Sequence, residues 1–138
     1  MSYRILEHAT DAIIEIKADD LATAFLIAAK SVIDLTIDSD KVVEKEIKEF
    51  VAQGKDLRYV LFSLLEEMIF LLITEGFAAK RVELQLDEGK EYKIKVKAYG
   101  EPLELKKHAF KVEIKAPTFH EMQIEQKNGV IMKFLLDL

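Results

Sequence analysis

The sequence predicts an α+β fold, with two main helices packed on a mostly antiparallel β-sheet arrangement of about seven strands. Three observations carry that expectation. Apolar residues recur at helical spacing in two stretches, near residues 20–34 and 57–74. Elsewhere they alternate at period two, as side chains on the two faces of a strand do. Turn signals, above all Asn128-Gly129, join the alternating runs without room for crossover helices, which is the pattern of hairpins. At 138 residues the chain suits one core, so residues 1–138 are read as a single domain.

The elements follow in order. Ala12, Ile14, Ile16 and Ala18 share one phase of a strand whose other phase holds Asp11, Ile13, Glu15 and Lys17. Asp19-Asp20 then offers a helix cap at the positive end of the helix dipole. The first helix presents Leu21, Phe25, Ala28 and Val32 as its buried stripe, widened by Ala24, Ile27 and Leu35. Residues 42–52 mix the two periods, and their valines and isoleucine favour strand. Asp56 caps the second helix, which is apolar nearly all round. Its length suggests a membrane span, but Arg58, Glu66 and Glu67 would be costly in lipid, so it is expected to be a buried central helix. Five strands are expected after it. They run through Val82–Leu86, through Tyr92–Ala98, through Phe110, Val112, Ile114 and Ala116, and through a terminal hairpin that pairs residues 119–126 with 130–137 across a two-residue Asn-Gly turn.

Composition excludes several classes. The chain has no cysteine, which rules out disulfides and thiolate metal sites and fits a cytoplasmic location. The N-terminus lacks the apolar core of a signal peptide. A net charge of −5 opposes independent binding to phosphate backbones, so any contact with RNA is expected to be indirect, through another protein. No H-x-x-x-H, Gly-rich phosphate loop or nucleophile elbow occurs.

Candidate chemistry concentrates near the strand ends. Asp11 stands at the mouth of the first strand, in its non-core phase, where a solvated turn aspartate is the plain alternative. Asp137 lies one residue from the end of the sequence, so its carboxylate neighbours that of Leu138. Lys115 alternates with core residues and points off the core, as ordinary surface lysines also do. His120 shares a phase with Met122 and Ile124, which suits a hydrogen-bonded core histidine better than a metal ligand. His8 and His108 each lack a neighbouring ligand at useful spacing. Were the strands bearing Asp11, Lys115 and Asp137 adjacent, these residues would form one patch. Carboxylates without His or Cys partners select a hard cation such as Ca²⁺ or Mg²⁺, and a lysine beside them suits a phosphate or a partner's acid.

Several stretches together resemble the archease family. They are E-H-A-T-D at 7–11, K-D-L at 55–57, G-E-P-L at 100–103, K-K-H at 106–108, I-K-A-P-T-F-H at 114–120 and L-L-D-L at 135–138. Their order and spacing agree over essentially the whole chain. The resemblance implies a non-catalytic protein that activates an RtcB-type RNA ligase in tRNA splicing and RNA repair, promoting its guanylylation and repeated turnover. It implies a divalent cation, Ca²⁺ first and Mg²⁺ or Mn²⁺ otherwise, held by Asp11 and Asp137 with the Leu138 carboxylate as a further ligand. His8 and His120 are possible supports. It also implies that Lys115 is required for ligase activation. The first motif departs from the family's H-T-A-D-[IV]-G pattern: Ala9-Thr10 is reversed, and Ala12-Ile13 stands where the glycine normally sits. Two other classes remain open, a small metal-dependent hydrolase using Asp11, Asp137 and His120, and a chaperone-like protein protecting an RNA-modifying enzyme. The oligomeric state is left open.

Overall fold

The computed structural model describes residues 1–7 and 10–138, with the backbone alone at 6 and 7. In chain order the strands and helices are β1 (Ser2–Glu7), β2 (Asp11–Ala18), α1 (Leu21–Thr36), β3 (Glu46–Gly54), α2 (Leu57–Ile69), β4 (Phe77–Glu88), β5 (Tyr92–Pro102), β6 (Ala116–Gln126) and β7 (Val130–Asp137). A π-helical turn, Phe70–Thr74, extends α2. The strands form two antiparallel sheets, one in the order β1-β2-β7-β6 and the other β3-β5-β4.

The α+β class and the two helices are as the sequence predicts, and so is the number of strands among the described residues. The arrangement is more layered than one covered sheet. α1 lies against β2 and β4, and α2 against β3 and β6, so the helix pair sits between the sheets. That position explains the apolar circumference of α2: Val60, Leu61, Leu64, Leu65 and Met68 are fully buried. No helix among the described residues is long and apolar enough to cross a membrane. Both expected caps form. Asp20 accepts the Thr23 N–H at 2.7 Å and Asp56 accepts the Tyr59 N–H at 3.0 Å.

Three expectations are corrected. Residues 110–115 are not a strand: Ile114 is buried, but the exposed Ala116 begins β6. The backbone there is committed elsewhere, with the Lys111 N–H donating to the Thr36 carbonyl at 2.8 Å and Ala109 at φ +50°. β1 takes the missing place by pairing Tyr3 with Ile16 and Ile5 with Ile14. The terminal hairpin is closed by three residues, 127–129, since Gln126 pairs with Val130. Asn128 and Gly129 do take positive φ, as their sequence demands, and a Cβ on Gly129 would stand 2.9 Å from the Ala18 carbonyl oxygen.

Gly100 sets a sharper steric limit. In β5 it passes so close to β4 that an added Cβ would meet the Ala78 carbonyl oxygen at 1.8 Å. Because that obstacle is backbone, relief requires the two strands to separate. Gly100→Ala is therefore expected to cost more stability than Asp20→Ala, whose lost cap is worth about 1 kcal/mol. Urea unfolding of the two variants checks this, and equal losses would contradict the close approach.

Candidate functional site

Antiparallel pairing of β2 with β7 sets Asp11 directly opposite Asp137. The Leu138 N–H donates to the Thr10 carbonyl at 2.9 Å, so residues 10 and 138 occupy a hydrogen-bonded step of the ladder. The next step, Asp11 with Asp137, is then a non-hydrogen-bonded pair, the kind in which facing side chains approach most closely. Both project from the sheet face opposite that of the core residues Ile14 and Phe134. Asp11 is half-buried and Asp137 exposed. Beneath them on the same face lies the pair Ile13 and Leu135, each only 6 % exposed.

The other neighbour of β7 brings in the lysine. Ala116 pairs with Asp137, and the Lys115 N–H donates to the Asp137 carbonyl at 2.8 Å. Asp11, Lys115, Asp137 and Leu138 thus meet at one end of the four-stranded sheet, although Asp11 is more than a hundred residues from the other three in sequence. Among the described residues, none of the ion pairs includes Asp11, Lys115 or Asp137.

Two facing carboxylates suit a hard divalent cation, whose charge offsets the repulsion that like charges suffer across a strand pair. The donor set is small, however. Among the described residues no group of three or more His, Asp or Glu side chains gathers to hold a metal. The pair offers about four oxygens against the six to eight that Ca²⁺ takes. The Leu138 carboxylate, water or a partner's atoms would have to supply the rest.

The histidines fare differently. His8 lies outside the described residues. His120 is not in the core phase: it is exposed, and its N–H donates to the Thr118 hydroxyl at 3.1 Å. A bulge between Thr118 and Gln123, with Glu121 at φ +59°, shifts the alternation between His120 and the buried Met122. A period-two count cannot anticipate an inserted residue.

Architecture and site together define a small α+β protein of three layers, with its acidic pair at the open end of one sheet. A model of the Archease protein family (MTH1598/TM1083) matches residues 3–138. The archease of Pyrococcus abyssi is 38% identical over 121 residues, covering 87% of this chain and 85% of that protein. The archease of Pyrobaculum islandicum is 38% identical over 141 residues, covering 100% and 96%. The chain belongs to the archease family. Its fold matches the solution structure of Methanobacterium thermoautotrophicum protein 1598 with a TM-score of 0.83, at 24% identity and 99% coverage of both chains. It matches the crystal structure of a Thermotoga maritima archease, described there as a possible chaperone, with a TM-score of 0.63, at 22% identity and coverage of 96% and 94%.

One polar cluster escaped the sequence reading. Glu101 and His108 are both buried, and His108 Nε2 lies 2.9 Å from Glu101 Oε2. The Glu104 N–H donates to His108 Nδ1 at 3.0 Å. With Nδ1 accepting, the ring proton belongs on Nε2 and points at Glu101. The Val43 N–H donates to Glu101 at 2.9 Å and the Lys107 ammonium at 2.9 Å. The available signal was the pair of short motifs G-E-P-L and K-K-H, which the chain folds against each other.

His108, then the Val43 N–H and Lys107, hold the Glu101 carboxyl at about 2, below its ordinary 4.5. A carboxyl lowered in the folded state stabilises fully above its unfolded pKa, and that contribution is lost as pH falls through the folded one. Wild type should therefore lose stability between about pH 4.5 and pH 2 more steeply than Glu101→Gln. Chemical unfolding across that window measures the difference, and parallel curves would refute the coupling.

Proposed function

We propose that this protein activates an RtcB-type RNA-splicing ligase as a non-catalytic partner, promoting the ligase's guanylylation and repeated turnover in the cytoplasm. The observation that carries the proposal is the direct opposition of Asp11 and Asp137 on neighbouring strands, with Lys115 bonded through its backbone to Asp137. Asp11 and Asp137 would hold a divalent cation, Ca²⁺ before Mg²⁺ or Mn²⁺, with the Leu138 carboxylate as a third source of oxygen. When bound, that cation supplies a hard positive charge at the protein's tip, with coordination positions left over for oxygens of a partner or its nucleotide. Lys115 adds a mobile ammonium suited to a phosphate. The −5 charge of the chain favours contact with the ligase over direct contact with RNA.

A second reading has a specific motive, because the Thermotoga maritima relative is described as a possible chaperone. Under it, aggregation of a client enzyme would be suppressed equally by wild type and by Asp11→Asn. The hydrolase reading is weaker, since among the described residues no group of three or more His, Asp or Glu side chains gathers, as Asp11, Asp137 and His120 would have to.

Calcium provides the first check. In chelator, Asp11→Asn and Asp137→Asn should be at least as stable as wild type, because each removes a like-charge pair worth roughly 0.2–1 kcal/mol. Added Ca²⁺ should raise the unfolding temperature of wild type and leave both variants unmoved. A calcium response that survives in both variants would place the ion elsewhere.

Ligase turnover provides the second. Substoichiometric wild type should convert a single-turnover ligase into a multiple-turnover one, whereas Asp11→Asn, Asp137→Asn and Lys115→Ala should each lose most of that stimulation. Full stimulation by all three variants would remove the tip from the mechanism.

A further inference from the structure

Two stretches singled out in the sequence, Lys55-Asp56-Leu57 and Thr118-Phe119-His120, contribute nothing to the acidic tip, yet the fold brings them together. The first turn of α2 packs against the bulged part of β6. Arg58 Nη2 donates to the Phe119 carbonyl at 3.3 Å. The Phe119 ring stacks on Phe62, with centroids 4.3 Å apart and planes 8° apart, and meets Tyr59 at 5.1 Å in a tilted contact. Two cations flank this aromatic group: the Lys55 ammonium lies 4.6 Å from the Tyr59 ring centroid, and the Arg58 guanidinium 5.7 Å from that of Phe119. Tyr59, a large aromatic, is 45% exposed.

The charges here are left available. Asp56, the nearest acid in sequence, is turned onto the Tyr59 N–H as a helix cap. Among the described residues neither Lys55 nor Arg58 joins an ion pair. The remaining acid on the bulge is the exposed Glu121, and the exposed His120 precedes it. The bulge itself requires a non-glycine residue at φ +59°, a conformation that costs energy and recurs where a side chain is re-aimed beside a functional surface.

Position ties the patch to the tip. β6 is an edge strand and begins at Ala116, opposite Asp137. Phe119 is three residues further along, about 10 Å at strand spacing. A body that surrounds the tip would meet the patch at its rim.

We infer that Lys55, Arg58, Tyr59 and Phe119 form a docking surface for an acidic protein surface, the carboxylate-bearing rim of the ligase pocket that receives the tip. The inference rests on the ligase activation proposed above. Arginine and tyrosine are the residue types that dominate interface energetics, and guanidinium grips carboxylate through a two-pronged hydrogen bond. RNA fits less well. One face of Phe119 is taken by Phe62, and Lys55 lies over Tyr59, so the rings offer no free pair of faces for stacking bases.

The experiment compares wild type with a Lys55→Glu/Arg58→Glu double variant, after thermal unfolding has shown that both are folded. Affinity for the purified ligase is measured without RNA, together with the concentration that gives half-maximal stimulation of turnover. Charge reversal should weaken binding by about tenfold or more and raise the half-maximal concentration to match, while saturating protein restores the full maximum. Asp137→Asn should instead lower the maximum itself. Unchanged affinity of the double variant, with stimulation by wild type intact, overturns the docking surface and leaves the tip standing. Failure of wild type to bind or stimulate the ligase overturns the activation proposal and this inference with it. If the double variant loses affinity for RNA alone in a mobility shift but binds the RNA-free ligase normally, the patch contacts nucleic acid and the inference is wrong.

Discussion

The pairing of β2 with β7 is the constraint on which the rest of the molecule depends. Its register is locked by burial, because Ile14, Ile16, Met132 and Phe134 all face the helix layer and are fully buried. A slip of one residue would turn each of them to solvent and carry charged residues inward. Burying one such side chain is worth roughly 1.5–3 kcal/mol, whereas facing two like charges at a strand end costs at most about 1 kcal/mol. The hydrophobic face therefore wins, and it holds Asp11 opposite Asp137 despite their repulsion. The core thus presents two carboxylates face to face on a backbone that it holds in register.

The helix layer performs a second positioning task. Because α1 and α2 are covered by a sheet on each side, they form a rigid centre on which both sheets are fixed. The long irregular stretch between β5 and β6 is tied to that centre, through the Lys111 N–H on the Thr36 carbonyl and the Asp38 N–H on the His108 carbonyl. Glu101 and His108 anchor its near end from within. Lys115, at its far end, is thereby delivered to Asp137. Buried ionic groups are poor stabilisers in general, but removing one partner of such a cluster strands the other, so this one specifies the path of a segment without ladder bonds.

Tip and flank carry opposite charge on a chain whose net charge is negative. Carboxylates occupy the end of the four-stranded sheet, while Lys55 and Arg58 line the start of α2 beside the edge strand. Membership of the archease family is shown by sequence over nearly the full chain. The bipolar surface is a property of the fold that family membership alone does not describe.

Much was legible in the sequence because local physics decided it. Period-two alternation marked β2, β5 and β7, the two capping aspartates marked the helix starts, and Asn128-Gly129 marked the last turn. The same alternation put Asp11 and Asp137 off the core face. What it missed was set by partners distant in sequence. The stretch 110–115 has a strand's pattern but no neighbouring strand to complete its ladder, and the short β1 is a strand because the open edge of β2 accepts it. His120 left its expected phase through an inserted bulge, and His108 found Glu101 only once β5 and the following loop had folded together. The sequence by itself determined which residues are helical, which alternate and which carry charge, since those depend on neighbours a few positions away. Only the tertiary structure decided that β2 and β7 are adjacent and in register, because strand pairing joins residues whose separation along the chain carries no signal of their contact.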